Sequence, residues 1–329
     1  MSPPAGESPH WPAVGRTPRF RSPLLHAGII LGLIVIHFIL PEYHNGNLAR
    51  IMVLAVYAMG YNILFGYTGL LSLGHALFFA AGMYGLGLPM HLLGATPAPA
   101  FLGGLATALV VSAVIGFLAL RTSGVAFMIV TLMFAQAGFL TVLLFGEYTR
   151  GDEGFVIQQA ARQVAGIDLT DPSNRYFAAL TLFGVCLLLI AWLVQTPFGR
   201  CLVAIRENEE RARLLGYDVL AHKLGAVIIS GTMSGAAGAA YALLFGYAGA
   251  TFASVQYSIL PLLWVLLGGA GTTIGPFIGT VFMFYLIDLA SGVTSAYMLI
   301  AGLALVLLTL FAPQGLAGEL RRRLMSWLP

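Results

Sequence analysis

Charged residues are scarce in this sequence, and lysine is nearly absent. Only 9% of the 329 residues are charged, and Lys223 is the one lysine among sixteen cationic residues. A soluble domain has about one quarter charged residues, so this composition does not suit the surface of a water-soluble globule. With 59% hydrophobic residues, it instead indicates an all-α polytopic membrane protein surrounded by hydrocarbon. We expect the lipid bilayer as a partner and no nucleic acid.

Cysteine is also rare. Cys186 falls in an apolar run and Cys201, fifteen residues later, in a basic loop. This placement predicts two free thiols rather than a disulfide, and neither cysteine has the spacing of a metal ligand. We therefore expect no metal site.

Motifs that would supply energy or catalysis are missing. The only lysine lies between His222 and Leu224, so no G-x-x-x-x-G-K-[ST] phosphate loop exists and the chain does not hydrolyse ATP by that route. No G-x-S-x-G, H-E-x-x-H or C-x-x-C motif occurs either, and we predict that the chain is not an enzyme. The apolar segments hold few ionisable residues: His37, His75 and Asp288. A proton-driven transporter usually has more carboxylates there, so we expect the energy source on another protein.

Apolar segments are the dominant feature that is present. A helix needs about 20 such residues to cross the hydrocarbon core. Ten segments approach or reach this length: 24–41, 48–66, 74–94, 99–120, 124–145, 174–194, 223–246, 257–270, 276–292 and 295–313. The third, eighth and ninth are rich in glycine and are candidates for broken or re-entrant helices. We predict eight to ten membrane helices.

The cations divide unequally between the two sides of such a bundle. If the N-terminus is cytoplasmic, twelve of the sixteen lie inside: Arg16, Arg19, Arg21, Arg121, Arg200, Arg206, Arg211, Arg213, Lys223 and Arg321 to Arg323. Four lie outside: Arg50, Arg150, Arg162 and Arg175. Because cytoplasmic loops are enriched in Lys and Arg, we predict that both termini are cytoplasmic.

The chain divides into three predicted parts. Residues 1–23 hold six of the sixteen prolines and are predicted to be a disordered tail. The apolar run that follows, Leu24 to Leu40, has no small-residue cleavage site after it, so we do not interpret it as a signal peptide. Residues 24–313 form the membrane domain, with an outer loop at 146–173 and an inner loop at 195–222. Residues 314–329 form a basic cytoplasmic tail.

One hexapeptide occurs twice. Residues 64–69 read LFGYTG and residues 244–249 read LFGYAG. The first ends the second segment on the inside, and the second ends the seventh segment on the outside. A five-plus-five inverted repeat places equivalent elements in this way, but two short glycine-rich stretches can also resemble each other by chance.

The inner loop contains a dense group of charges. Residues 206–213 read RENEERAR, so six of these eight residues are charged. If the stretch forms one helix, Glu207 pairs with Arg211 and Glu209 with Arg213, each contributing roughly 0.3–0.5 kcal/mol.

The same stretch has an apolar side. Leu202, Ile205, Ala212 and Leu215 lie along one stripe of the predicted helix, and Gly216 is a helix stop signal. Such an amphipathic helix is suited to docking in a groove on another protein. The alternative is a solvated helix that only connects two membrane segments.

Three stretches resemble one family of membrane proteins. Residues 199–218 (GRCLVAIRENEERARLLGYD) closely resemble the cytoplasmic loop of permeases from the branched-chain, or hydrophobic, amino acid uptake family of ABC importers. Residues 61–79 (YNILFGYTGLLSLGHALFF) are similar to its G-x-x-G-x-x-S-x-G-H-x-x-F-F signature, of the M type rather than the H type. Residues 268–276 (GGAGTTIGP) resemble its late GG-x-G-x-x-x-GP run. The resemblance covers about residues 45–315.

The resemblance implies a multi-subunit importer in the bacterial inner membrane. A periplasmic binding protein delivers the solute, two permeases form the pore, and two cytoplasmic ATPases, which carry ATP and Mg²⁺, drive alternating access. The M-type signature implies a heterodimer with an H-type permease. A short coupling helix of the permease docks on the ATPase. Transferred to this sequence, its positions are Gly199, Arg200, Ala204, Ile205, Arg206, Glu207, Asn208 and Gly216.

Two further groups of residues are candidates for a translocation pathway and for helix packing. Irregular backbone at membrane depth is tolerated only within protein or beside a cavity. The candidates for a translocation pathway are Gly69, Ser72, Gly74, His75 and Asp288. For His75 and Asp288 the favoured interpretation is structural, as a hydrogen bond to a neighbouring carbonyl and a position at the outer interface. Glycines at four-residue spacing indicate tight helix packing: Gly231 and Gly235, and Gly271, Gly275 and Gly279.

These observations predict a permease subunit that transports branched-chain or related amino acids and binds no cofactor itself. Transport of urea or short amides by a permease of the same family is the nearest alternative. A stand-alone secondary transporter or channel is a third.

Overall fold

The computed structural model of the protein describes residues 21–164, 166–294, 296–311 and 315–323. The predicted N-terminal tail lies outside this range up to residue 20. Residues 314 and 324–329 of the predicted C-terminal tail also lie outside it.

The described chain is mainly α-helical. In chain order the helices are α1 (Arg21–Ile39), α2 (Glu42–Asn62), α3 (His75–Leu93), α4 (Pro97–Ala119), α5 (Val125–Leu144), α6 (Gly146–Thr149), α7 (Pro172–Gln195), α8 (Pro197–Glu207), α9 (Glu209–Leu214), α10 (Val219–Phe245), α11 (Val255–Gly268), α12 (Gly275–Val293), α13 (Tyr297–Phe311) and α14 (Gly315–Arg323). A π-helical turn, Ile63–Tyr67, continues α2.

Each of the ten predicted segments contains a helix, which confirms the all-α polytopic fold. Within the described residues, seven helices are long and apolar enough to cross a membrane: α2 with its π-helical turn, α3, α4, α5, α7, α10 and α12. The apolar part of α1, Leu24–Ile39, and helix α11 are shorter. The 14 residues of α11 rise only about 21 Å at 1.5 Å per residue, less than the hydrocarbon core of about 30 Å.

The glycine-rich segments differ from one another in continuity. The third, eighth and ninth segments are the predicted candidates for broken or re-entrant helices. The third and ninth are unbroken helices, α3 and α12. The helical part of the eighth ends early, at Gly268, and a non-helical loop follows to Ile274. This loop begins at Gly269, whose φ of +116° is a conformation that side-chain-bearing residues rarely adopt.

Helices α2 and α10 form the centre of the bundle. In the most apolar stretch of each helix, 89% of the residues are buried in α2 with its π-helical turn and 78% in α10, but only 17% in α5. The two helices run antiparallel: the guanidinium of Arg50, early in α2, lies 5.2 Å from the ring of Phe245 at the end of α10. Near the other end, Ser230 of α10 donates a hydrogen bond to the Gly60 carbonyl of α2 at 2.6 Å. We call the end with α8 and α9 the predicted cytoplasmic end.

Small residues allow α10 to approach α3 and α4. A side chain at Gly235 would overlap Ala108 of α4, and one at Gly231 would overlap Ser112 of the same helix. On the α3 side of α10, a side chain at Gly82 of α3 would overlap the Gly235 carbonyl of α10. Without a Cβ on these glycines, the helix backbones pack in direct contact.

Four two-residue strands lie at the predicted periplasmic end. They are β1 (Phe155–Val156), β2 (Gln163–Val164), β3 (Ile167–Asp168) and β4 (Tyr247–Ala248). β1 pairs antiparallel with β4, and β2 with β3. The β1–β4 pairing attaches the outer loop to the chain segment that follows α10.

The close contact of α10 with α4 predicts the effect of a methyl group. Gly235→Ala places a Cβ against Ala108, which has no flexible side chain to move. We expect a loss of about 1–3 kcal/mol of stability, the usual cost of overpacking, seen as a lower thermal unfolding temperature in detergent. The matched control is Gly32→Ala in α1, where nothing lies within 4 Å of the added Cβ. Equal stability of the two variants would contradict the packing described here.

Candidate functional site

The inner loop leaves α7 through a tight capped turn. The Thr196 hydroxyl accepts a hydrogen bond from the Gly199 amide at 3.2 Å, and Pro197 occupies the first turn of α8. Ser and Thr caps of this kind satisfy amide groups that the start of a helix leaves without partners. Gly199 packs directly on the backbone of Leu193 and Val194, where a side chain would overlap. The sharp turn between α7 and α8 therefore requires glycine at this position.

The charged stretch does not form one helix, so that prediction was wrong. The backbone of Asn208 is extended, with φ −159° and ψ 101°, and it separates α8 from α9. Its side-chain oxygen accepts a hydrogen bond from the Arg211 amide at 2.8 Å. Asparagine competes well with the backbone for such bonds. Asn208 therefore ends one helix and begins the next.

The break changes the ion pairs. Glu209 pairs with Arg213 at 3.2 Å, as predicted, and also with Lys223 of α10 at 2.6 Å. The predicted pair of Glu207 with Arg211 is not formed because the two residues belong to different helices. The Glu209–Lys223 contact joins α9 to the beginning of α10.

The predicted apolar stripe is correct in three of its four positions. Leu202, Ile205 and Ala212 are buried, each 3% exposed or less, but Leu215 is 70% exposed. Leu215 is exposed because α9 ends at Leu214 and the chain turns at Gly216, whose φ is +88°.

An apolar patch results on the surface of this turn. Leu214 is 88% exposed, and Leu215, Tyr217 and Leu220 are exposed beside it in sequence. We call these four residues the α9 patch. On the buried side, Cys201, Ile205, Ala212 and Val219 form a small core, and burial raises the pKa of the Cys201 thiol.

Arg206, near the end of α8, reaches the end of α2. Its guanidinium donates a hydrogen bond to the Gly66 carbonyl of the π-helical turn. Gly69 and Gly271 lie against its side chain, both with positive φ, +76° and +77°. A Cβ on either glycine would contact the arginine at about 3 Å or less. Arg206 thus contacts both the turn after α2 and the loop after α11.

Asn62 links the same two segments from the inside. Its amide nitrogen donates to the Thr272 carbonyl at 2.8 Å, and its side-chain oxygen accepts from the Gly271 amide at 2.9 Å. Asn62 is not among the site residues predicted from the sequence. An asparagine in a buried segment of α2 was the available signal, because a buried amide needs hydrogen-bond partners.

A cavity of about 870 Å³ opens beside these contacts. Its walls are the turn at 69–71, the α4–α5 connection at 120–125, the segment at 205–210 and the beginning of α10. Of the coupling positions assigned from the resemblance, Ile205, Arg206, Glu207 and Asn208 line this cavity. Arg200 is exposed elsewhere on α8, and Ala204 is half-buried.

The predicted pathway residues do not all line this cavity. Gly69 lines the cavity, whereas Ser72 is buried and accepts a hydrogen bond from the Gly74 amide at 3.1 Å. His75 is fully buried and bonded through Nε2 to the Ser230 hydroxyl at 2.8 Å. Because that hydroxyl donates to the Gly60 carbonyl, the histidine nitrogen is the donor. His75 thus lies in a helix interface.

Asp288 lies at the other end of the molecule. Its carboxylate accepts hydrogen bonds from the Tyr43 hydroxyl at 3.0 and 2.9 Å. Tyr43 belongs to the first turn of α2 and is exposed, so Asp288 lies at the predicted periplasmic surface.

The late glycines shape the contact between α11 and α12. The Gly275 amide donates a hydrogen bond to the Thr272 hydroxyl at 3.1 Å. A side chain at Gly279 of α12 would overlap the Trp264 carbonyl of α11. Within the described residues, no group of three or more His, Cys, Asp or Glu is placed to hold a metal ion.

The chain is similar to known permeases. Residues 45–311 match the family described as branched-chain amino acid transport system / permease component. The high-affinity branched-chain amino acid transport system permease protein LivM of Salmonella typhimurium is 30% identical over 300 residues, 83% of this chain and 69% of that protein. LivM of Escherichia coli is 29% identical over 299 residues, with the same coverage. No solved structure matches.

A shorter match concerns a protein with a different name. The autoinducer 2 import system permease protein LsrC of Photorhabdus laumondii is 32% identical over 106 residues, 30% of this chain and 32% of that protein.

The Glu209–Lys223 pair predicts how firmly α9 is held. Lys223 is 9% exposed, so Glu209→Gln removes the counter-charge of a largely buried ammonium group. Because Glu209 is partly exposed, solvent screens the pair, and we expect the variant to lose about 1 kcal/mol of the free energy that holds α9 on α10. We expect roughly fivefold faster hydrogen–deuterium exchange in residues 209–215. Glu210→Gln, which changes an exposed neighbour, is the control. Unchanged exchange in Glu209→Gln would show that the pair does not hold α9.

Proposed function

Because the chain belongs to the permease family of branched-chain amino acid ABC transporters, we propose that it is the M-type subunit of an importer and that α8 and α9 couple it to separate ATPases. Membership of this family makes the chain a multi-pass transport permease rather than an enzyme. The observation that carries the coupling proposal is the hydrogen bond from Arg206 to the Gly66 carbonyl, since it connects the inner loop to the central helix α2.

The proposed assembly contains several other proteins. Two cytoplasmic ATPases bind ATP and Mg²⁺, an H-type permease completes the pore, and a periplasmic binding protein delivers the solute, all at the bacterial inner membrane. The missing phosphate loop supports a separate ATPase. The family and the LivM relatives support the remaining components as parts of an ABC importer.

The proposed solutes are branched-chain amino acids. The support is the name of the two LivM relatives that match most of the chain. None of the residues described at the candidate site favours urea or a short amide.

The α9 patch is the proposed contact with the ATPase. Its leucines and tyrosine are exposed at the end of the molecule where Lys and Arg predict the cytoplasm. Arg211 and Arg213, which precede the patch in sequence, are exposed as well, and an exposed apolar cluster rimmed by polar residues is typical of a protein interaction site. A hydrophobic centre with a charged rim is also the usual anatomy of an interface.

The proposed transmission runs from the patch to the central helices. Movement of α9 pulls on α10 through the Glu209–Lys223 pair. Movement of α8 displaces the turn after α2 through the hydrogen bond of Arg206. The loop after α11 moves with that turn because Asn62 is hydrogen-bonded to the loop. A displacement of the inner loop thus acts directly on both central helices, α2 and α10.

Reconstitution tests the function. Proteoliposomes containing the full complex, with the binding protein outside and ATP inside, are expected to take up leucine, isoleucine and valine but not urea. Proteoliposomes with this chain alone are expected to take up none of them. Uptake by the isolated chain without ATP would show a stand-alone transporter or channel, and preferential uptake of urea would show the alternative substrate class.

The α9 patch gives a sharper prediction. Leu215→Ala removes apolar area that we assign to the ATPase contact, and truncation of a central interface residue commonly costs about 1–3 kcal/mol. We expect roughly tenfold weaker association of the ATPases, measured by co-purification at graded ATPase concentrations, with membrane insertion unchanged. The control is Leu31→Ala, the same change on a similarly exposed residue of α1. Equal affinity of the two variants would exclude this surface.

A further inference from the structure

A second arginine contacts a helix end at the predicted periplasmic side. Arg162, in the outer loop, donates a hydrogen bond from Nη1 to the Leu244 carbonyl of α10 at 3.3 Å. Its guanidinium also lies against Gly246, where a Cβ would approach it to 2.9 Å. Arg162 is only 8% exposed. The arrangement resembles the contact of Arg206 with Gly66 and Gly69 at the other end.

The two contacted segments are the repeated hexapeptides. Arg206 binds the turn within residues 64–69, and Arg162 binds the one within residues 244–249. Each turn ends one of the two central helices, and α2 and α10 run antiparallel, so the turns lie at opposite ends of the molecule. Chance similarity of two short stretches does not explain why both receive an arginine from a neighbouring loop.

The order of the following helices supports equivalence. The hexapeptides begin at Leu64 and Leu244, 180 residues apart. The next helices, α3 and α11, begin at His75 and Val255, again 180 residues apart. The helices after those, α4 and α12, begin at Pro97 and Gly275, at nearly the same spacing. This regularity is expected of an inverted repeat.

The periplasmic turn is covered by the outer loop. Phe155 pairs with Ala248, and the Ile157 amide donates to the Gly246 carbonyl at 2.9 Å. The Phe155 ring packs on Gly87 of α3, and its residue is 3% exposed. In this structure the outer loop therefore closes over the periplasmic ends of α3 and α10.

Arg162 is held in a way that suits a contact that opens. Burial lowers its pKa, as does the nearby Arg175, and Asp168 opposes this. Its Nε atom is buried and has no hydrogen-bond partner within the described part of the chain. A buried charge with incomplete hydrogen bonding offsets much of the gain from its contacts. The contact of Arg162 with the end of α10 is thus a weak one, and a contact that breaks in every transport cycle has to be weak.

Resting on the proposed function, we propose that Arg162 is a positioning residue that holds the periplasmic turn closed and is the counterpart of Arg206 at the cytoplasmic turn. Inward transport needs both turns to be released, at different stages of the cycle. The binding protein acts at the Arg162 side, and the ATPases act at the Arg206 side.

Cysteine accessibility tests this proposal directly. Thr68 and Ala248 occupy equivalent positions of the two hexapeptides and are almost fully buried, 2% and 0% exposed. Each is replaced by cysteine in turn, in a chain that carries Cys186→Ala and Cys201→Ala. Labelling rates with a membrane-impermeant maleimide are measured in right-side-out vesicles for position 248 and in inverted vesicles for position 68. Partners and ATP are not needed.

Two charge-removing variants give opposite expected results. Arg162→Gln is expected to raise the labelling rate at position 248 on the order of fivefold, as loss of a hydrogen bond of about 1 kcal/mol implies, and to leave position 68 unchanged. Arg206→Gln is expected to raise labelling at position 68 and to leave position 248 unchanged. Arg150→Gln, which changes an exposed residue of the same outer loop, is the control for Arg162→Gln.

Two outcomes would overturn the proposal. One is an unchanged rate at position 248 in Arg162→Gln, and the other is an equal rise at both positions, which indicates general loosening. If Arg162→Gln does not accumulate in the membrane, Arg162→Lys carries the test with an expected intermediate rise at position 248. Since the labelling uses no transport activity, its failure is distinct from a failure of leucine uptake by the complete importer.

Discussion

The close antiparallel contact of α2 and α10 is the constraint on which the rest of the structure depends. Near its predicted cytoplasmic end the Ser230 hydroxyl donates to the Gly60 carbonyl, and a Cβ on Gly60 would come within 2.9 Å of the Ser230 carbonyl. Both helices are buried on most sides and in direct contact, so a movement of one displaces the other. The C-terminal ends of α2 and α10 lie at opposite ends of the bundle, and the sequence LFGY occurs at each of them.

The inner loop is built to act on this pair of helices. Asn208 divides it into α8 and α9, which lets each helix make its own contact: Arg206 of α8 with Gly66, and Glu209 of α9 with Lys223. One continuous helix would have directed these side chains differently. The charges in the stretch therefore serve two purposes, since some hold the loop to the bundle and others surround the exposed apolar patch.

Sequence patterns predicted much of the fold and less of the site. Ten apolar segments became helices because hydrocarbon burial depends on local composition, which a window of about 20 residues captures. The break at Asn208 was missed because the Glu–Arg spacing in residues 206–213 also fits one continuous helix, although asparagine favours N-caps over helix interiors. The contact of Arg206 with Gly66 joins residues 140 positions apart, and the exposure of Leu215 depends on where the chain turns. Tertiary contacts of this kind leave no periodic signal.

The central claim is that Arg206 transmits ATP-driven movement from the inner loop to the turn after α2. The most direct test is the number of leucine molecules imported per ATP hydrolysed by the reconstituted importer, compared between the wild type and Arg206→Gln. The account predicts that Arg206→Gln continues to hydrolyse ATP while this ratio falls severalfold. A ratio equal to that of the wild type, with hydrolysis and uptake reduced in proportion, would contradict it.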